Sequence, residues 1–428
     1  MRAQRWGLGL VGGAAVVVLA AGGLSAQVTT ERSASILVFP RVIADGTRDT
    51  IIQITNTSNS MVHAHCFYVN GELTFPDLPP GPLNPPLWTE TDFDIWLTKQ
   101  QPTHWVVSEG RLVDPTDQPC SNSGTQMEWQ CSGVTECVEQ GFFACNGAGT
   151  DPGRVPPVGL SPRNEGGESE HFTGELKCIE VDATGAPVSG NHLKGEATEV
   201  TLNVCDIPPG DTTGFCFNTS FSRHEEIGCT TNEDCPDVFD VSKSNALGIL
   251  GNENNNGDNV LCLGGEPSDV CPNGAEYDAC PAFWIANHYA FDAPDPAAGP
   301  DSAVFTSWTI VPCTENFETQ TPETITVFID TWNEFEQAFS SFATVTCWAD
   351  LFLEDINPVT FAYETLGTTF AQSRLRSTAD TASGFLMMQH EEHETADFFY
   401  SYADVNLHVE GARPGPDLIT IPPEQTAQ

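Results

Sequence analysis

Residues 33–70 read SASILVFPRVIADGTRDTIIQITNTSNSMVHAHCFYVN. Three apolar runs lie in it, Ile36 to Ile43, Thr50 to Thr55 and Met61 to Val69. Asp45-Gly46 separates the first two, and Asn56-Thr57-Ser58-Asn59 the second and third. β-Branched and aromatic side chains suit a pleated surface, while Asn, Asp, Ser and Gly supply turn geometry. The run Thr50-Ile51-Ile52-Gln53-Ile54-Thr55 nearly alternates, which gives a strand one dry side and one wet side. The stretch predicts sheet.

Working outward, a Pro-rich link (Pro76 to Pro86) leads to Phe93–Leu97 and Trp105–Val107, which complete one β-sandwich over 27–113. Residues 114–166 change character: Cys120, Cys131, Cys137 and Cys145 sit among Ser, Gly, Asn and Gln with no apolar period. Such a segment buries little and is expected to be a disulfide-held insertion. A β-rich middle spans 167–300, with a second Cys-rich insertion at 205–237. A second sandwich covers 301–413, and 414–428 reads as a flexible tail. The second sandwich faintly repeats the first. Ile310-Val311-Pro312 parallels Val38-Phe39-Pro40, and Cys347-Trp348 parallels Cys66-Phe67. The expected fold is all-β: two immunoglobulin-like β-sandwich units flanking a disulfide-rich, loop-rich middle.

In its order of strand, Pro40-Arg41-Val42-Ile43, turn, strand ending in Asn56-Thr57-Ser58, and third strand, Ser33 to Asn70 resembles the immunoglobulin-like modules of bacterial pilus chaperones. The resemblance implies a sandwich and makes Arg41 the counterpart of an arginine that anchors a subunit's terminal carboxylate. No basic strand supplies the accompanying lysine, and the chain is twice too long. The fold is carried over, and the chaperone activity is not.

Residues 1–26 read as a secretory signal, with Arg2 and Arg5, an apolar run from Gly7 to Gly23, and Leu24-Ser25-Ala26 before Gln27. No later segment is long and apolar enough to span a bilayer, so the expected location is secreted, cell-surface or periplasmic. The chain carries 16 basic against 59 acidic residues, a net charge of −43, which argues against nucleic acid as a partner. Calcium would neutralise such a polyanion. Fifteen cysteines in an exported chain predict disulfides with one thiol left over. Local pairings suggested by spacing are Cys229 with Cys235, Cys271 with Cys280, and Cys313 with Cys347.

Candidate chemistry is thin. His63 and His65 share one face of a strand and can present two imidazoles to one metal ion, with Cys66 pointing to the core as a disulfide half. Asn252, Asn254, Asn256 and Asp258 resemble the front of a calcium loop, although Leu263 stands where the closing Glu belongs. His390-Glu391-Glu392-His393 misses the zinc-hydrolase spacing by one and is expected to be an exposed acidic turn. There is no Gly-x-Ser-x-Gly elbow, phosphate loop or redox Cys-x-x-Cys. The tryptophans, among them Trp96, Trp105, Trp332 and Trp348, are expected to fill cores.

The composition and patterning favour a non-enzymatic binding, adhesion or structural protein whose partner is an extracellular protein or surface ligand. Two alternatives stay open. One is a secreted metal-dependent hydrolase with a site assembled from His and acidic side chains. The other is a calcium-rigidified surface component.

Overall fold

A computed structural model describes residues 28–45, 48–73, 84, 86–108, 111–112, 154–155, 172–201, 204–206, 212–218, 223–230, 240–296, 299, 302–378, 383–394 and 400–423. The signal segment, Cys235 and most of the first Cys-rich stretch lie outside them. Strands make up 59% of the chain and helices 3%, so it is all-β. The arrangement is a five-bladed β-propeller rather than two immunoglobulin-like sandwiches. Alternation along a strand tells which residues face a core. It does not tell which distant strand lies alongside.

The pairing makes the point. The first sheet runs Leu247–Ile249, Ile36–Ala44, Phe172–Val181, Val62–Asn70 and Glu90–Leu97. Residues from the chain's middle thus flank its first strand. The second sheet runs Asp240–Asn245, Leu193–Thr201, Arg48–Asn56 and Pro102–Val106. The third runs Ala349–Phe352, Ala303–Pro312, Phe385–Glu394 and Tyr400–Val405. The fourth runs Ala338–Thr346, Thr324–Asn333, Phe370–Ser377, Pro281–Tyr289 and His408–Ala412. The fifth runs Val260–Leu263, Asp417–Thr420 and Glu315–Asn316. The expected tail therefore contributes a strand, and Ile419 and Ile421 are buried.

Two cores result. Leu37, Phe39, Cys66, Tyr68 and Ile95 from the first sheet meet Ile52, Ile54, Trp105 and Leu193 from the second. Ile36, Val38, Phe67, Val69 and Ile179 point the other way, into a larger core with Trp284, Trp308, Val327, Leu375, Met387 and Ile419. Facing two cores explains why all nine residues of Ile36–Ala44 are buried, whereas Thr324–Asn333 alternates strictly in its burial. Each large apolar side chain so buried is worth roughly 1.5–3 kcal/mol. The first and third sheets meet at Gly71, where a Cβ would lie 2.4 Å from the Trp348 ring. Trp348 Nε1 donates to Pro40 O at 2.7 Å, closing the same joint.

The suggested repeat holds only for its early strands. Val62–Asn70 crosses into the first sheet, while its expected counterpart Ala338–Thr346 stays in a hairpin with Thr324–Asn333. The disulfides also differ from the spacing-based pairs. Cys271 bonds Cys262, and Cys313 bonds Cys280. Cys271 lies nine residues from both Cys262 and Cys280, so spacing along the chain cannot foretell which one it bonds. Cys66 bonds Cys178, directly opposite it across paired strands. Cys229 is disulfide-bonded. Cys347 is the free cysteine among the described residues, and it is buried.

Candidate functional site

The strand Ile36–Ala44 slips register between Phe39 and Val42, leaving Pro40 and Arg41 in a bulge. Proline has no N–H to give a ladder, so a bulge is where it fits. The slip turns Arg41 into a junction of three sheets. Its Nε donates to Glu199 Oε2 of the second sheet at 2.9 Å, and its Nη1 to Asp350 Oδ2 of the third. Asp350 also accepts from Thr309 Oγ1 at 3.0 Å. Beside it His390 Nδ1 meets Asp404 Oδ1 at 2.8 Å, and Nε2 lies 3.4 Å from Glu392 Oε1. His390 stacks on Tyr402 with ring centres 5.6 Å apart.

Electrostatics keeps this node ionised. Burial and the charge of Arg41 push the His390 pKa down, but hydrogen bonding to Asp404 and Glu392 outweighs them and lifts it to about 9. Burial likewise opposes the charge of Arg41, and Asp350 and Glu199 hold its pKa well above the usual value. Burial would raise the pKa values of Glu199, Asp350 and Asp404; their cationic neighbours leave all three lowered. Two cations thus meet four carboxylates, Glu199, Asp350, Glu392 and Asp404, in a dry place. Glu199, His390 and Asp404 can each offer a ligand atom, all within 4.8 Å of one another.

The His390–His393 segment is therefore no exposed turn. It lies on Phe385–Glu394, with His390 buried and His393 held by Asp295 Oδ2 at 2.8 Å. His63 and His65 do share a face, but both are buried and each takes its own carboxylate. His63 stacks on Trp96 at 4.0 Å and its Nε2 meets Asp94 at 2.6 Å. His65 Nε2 meets Asp92 at 3.0 Å. Neither belongs to a three-ligand group among the described residues. The other such group, Cys280, Cys313 and Asp417, contains a disulfide and so has no thiolate to give.

In the loop of Asn252, Asn254, Asn256 and Asp258, local backbone N–H groups occupy the side-chain oxygens of Asn256 and Asp258. Asn255 Oδ1 accepts from Gly257 N at 2.8 Å, Asn256 Oδ1 from Asp258 N at 2.7 Å, and Asp258 Oδ1 from Val260 N at 2.9 Å. Asn254 Nδ2 reaches Ala275 O at 3.4 Å. The bonds accepted by Asn255, Asn256 and Asp258 are Asx turns.

The fourth sheet offers a different surface. Phe328 and Phe342 sit opposite each other and are 40% and 63% exposed. Trp332, Phe335 and Phe370 are exposed around them, so Trp332 is not core. Two guanidiniums cover neighbouring rings: Arg376 lies 5.2 Å from the Phe328 ring centre and Arg374 3.8 Å from that of Phe283. Ala338–Thr346 is one of the two edge strands of this sheet.

No protein-family model matches the chain, and no curated protein does. Among solved structures, Thermotoga maritima 1070 matches over 31% of this chain and 97% of its own, at 10% identity and a TM-score of 0.22. The apo form of a Pleurotus ostreatus lectin matches over 91% of this chain and 84% of its own, at 11% identity and a TM-score of 0.10. Likeness at that level carries neither fold nor ligand across.

Sequence reasoning missed the junction at Arg41 and the aromatic face. Arg41, Glu199, Asp350 and the pair His390 and Asp404 are far apart in sequence, and in a chain with 59 acidic residues no carboxylate stands out. The aromatic face did leave a trace: Phe328 and Trp332 occupy the odd positions of a strand whose Ile325, Val327 and Ile329 already fill its dry side.

Proposed function

We propose that the chain is an exported, non-enzymatic binding or adhesion protein, and that it recognises an extracellular protein or surface ligand through the outward face of its fourth sheet. The carrying observation is the pair Phe328 and Phe342, exposed and opposite each other on an outward sheet face. Exposed aromatic patches beside arginine favour recognition surfaces over mere solvation. The disulfides fit an oxidising compartment. No described helix is long and apolar enough to cross a membrane.

The test is retention of fluorescently labelled protein on envelope preparations of the producing cells. Phe328→Ser with Phe342→Ser should weaken retention about tenfold, equivalent to ~1.4 kcal/mol, at unchanged melting temperature. Equal retention of the variant, or none of the wild type, sinks this reading.

A second reading rests on Glu199, His390 and Asp404. A divalent ion held there would make the chain a metal-dependent hydrolase. The ion would compete with Arg41 for Glu199 and with the hydrogen bond between His390 and Asp404. Metal analysis of the purified protein separates the two: a stoichiometric ion lost in Asp404→Asn favours the hydrolase.

A further inference from the structure

The second buried charge cluster, around Lys177, is built differently from the first. Glu175, Lys177, Ile179 and Val181 alternate on one face of Phe172–Val181, the face that meets the larger core. Lys177 lies opposite Phe67 in the neighbouring strand. Its Nζ hydrogen-bonds Glu315 Oε2 of the fifth sheet and lies 3.6 Å from Glu175 Oε2. Lys177, Glu175 and Glu315 are at most 3% exposed. The walls are aromatic. Phe317 lies 5.5 Å from Nζ and stacks on Phe67 at 4.4 Å, with Trp88 beyond it at 6.1 Å.

The first cluster leaves His390 Nε2 unpaired, whereas here it is carboxylate oxygens that go unsatisfied. Both Glu175 carboxyl oxygens and Glu315 Oε1 are buried without a hydrogen-bond partner. A buried ion pair whose remaining lone pairs go unmet does not repay its desolvation. Burial lowers the Lys177 pKa, and it raises that of Glu175 to about 7 despite Lys177. Burial therefore favours the neutral amine of Lys177 and the neutral acid of Glu175. A desolvated lysine amine is a nucleophile. A carboxyl group with its pKa near neutrality both gives and takes protons.

We propose that Lys177 and Glu315 condense to an intramolecular amide, with Glu175 as the proton shuttle. The Nζ lone pair attacks Cδ of protonated Glu315, forming the C–N bond. Glu175 takes a proton from the nitrogen and delivers one to the departing hydroxyl. The C–OH bond then breaks and water leaves. Nothing is oxidised or reduced, and Glu175 ends as it began. The product replaces two ionisable groups by one neutral amide and ties strands 138 positions apart in the chain. The aromatic walls exclude the water that would hydrolyse it. The inference is independent of the binding function proposed above.

The experiment is intact-mass spectrometry of the secreted full chain after denaturation and reduction, with a tryptic map. The expected mass is one water below that of the linear reduced chain. The map should contain a single branched peptide joining the Lys177 and Glu315 segments, uncleaved at Lys177. Lys177→Met and Glu175→Gln should both return to the linear mass. Full-mass wild type with Lys177 and Glu315 in separate peptides overturns the proposal, and the wild-type map decides even where a variant fails to fold. A branch joining Lys177 to the buried Cys347 also overturns it, and undiminished linkage in Glu175→Gln removes Glu175 from the scheme.

Discussion

The outward faces of the second and fourth sheets cover cores in the same way and meet water with different chemistry. Arg48–Asn56 and Thr324–Asn333 both bury alternate residues, Ile52 and Ile54 in one, Ile325, Val327 and Ile329 in the other. Between them the second sheet turns out Gln53 and Thr55, beside Lys194, Glu196 and His104 on its neighbouring strands. The fourth turns out Phe328 and Trp332, beside Phe342 and Phe370. Core packing dictates only every second residue of a one-sided strand. The second face exposes Val241 but, among the described residues, no Phe, Tyr or Trp, so the aromatic face calls for another reason, and binding supplies one.

The comparison breaks most severely where the two halves are joined. Arg41→Met leaves Glu199 and Asp350 buried without their cation. Unfolding by urea should show a loss of about 3–5 kcal/mol, the usual cost of removing one partner of a buried pair. A loss under about 1 kcal/mol would mean that the junction holds nothing together.

Next comes the bridge that the first half possesses across adjacent strands. Cys66→Ala with Cys178→Ala should cost about 2–4 kcal/mol. Cys347→Ala, at the position that parallels Cys66 in sequence, removes no bond and should cost about 1 kcal/mol or less. Equal effects would contradict the pairing.

The junction is also titratable. The folded pKa of His390, about 9, exceeds its usual unfolded value of 6.5. Its contribution to stability is therefore fully present below about pH 6.5 and fades as pH rises through about 9. At about 1.4 kcal/mol per unit, the loss is on the order of 3 kcal/mol. Glu175 and Glu90, raised by burial to about 7 and about 8, act in the same direction. His390→Gln should flatten much of this alkaline slope. An unchanged slope would place the titration elsewhere.

The sheet content was legible because Ile36 to Val69 is rich in β-branched and aromatic residues, nearly alternates over Thr50 to Thr55, and punctuates itself with Asp45-Gly46 and Asn56-Thr57-Ser58. The arrangement was not, because the partner of Ile36–Ala44 is Phe172–Val181, more than a hundred residues on, and no local pattern encodes that choice. The pairing of His63 with Asp94 escaped for the same reason, since cross-strand register decides it. Arg41 was named only as the counterpart of an arginine that anchors a subunit's carboxylate, a role not carried over. It anchors carboxylates of its own chain.

The smallest effect on stability is the most telling for function. Phe342 is 63% exposed on an edge strand, so Phe342→Ser forfeits little burial and should move stability by no more than about 0.5 kcal/mol. Gln53→Phe, which puts a ring on the exposed side of the second sheet, should be just as quiet. If the fourth sheet is a recognition surface, the first change lowers envelope retention and the second does not raise it, because affinity needs the surrounding rings and guanidiniums as well as one aromatic. If Gln53→Phe gains retention comparable to what Phe342→Ser loses, the surface binds by nonspecific stickiness. The contrast between the two faces would then carry no function.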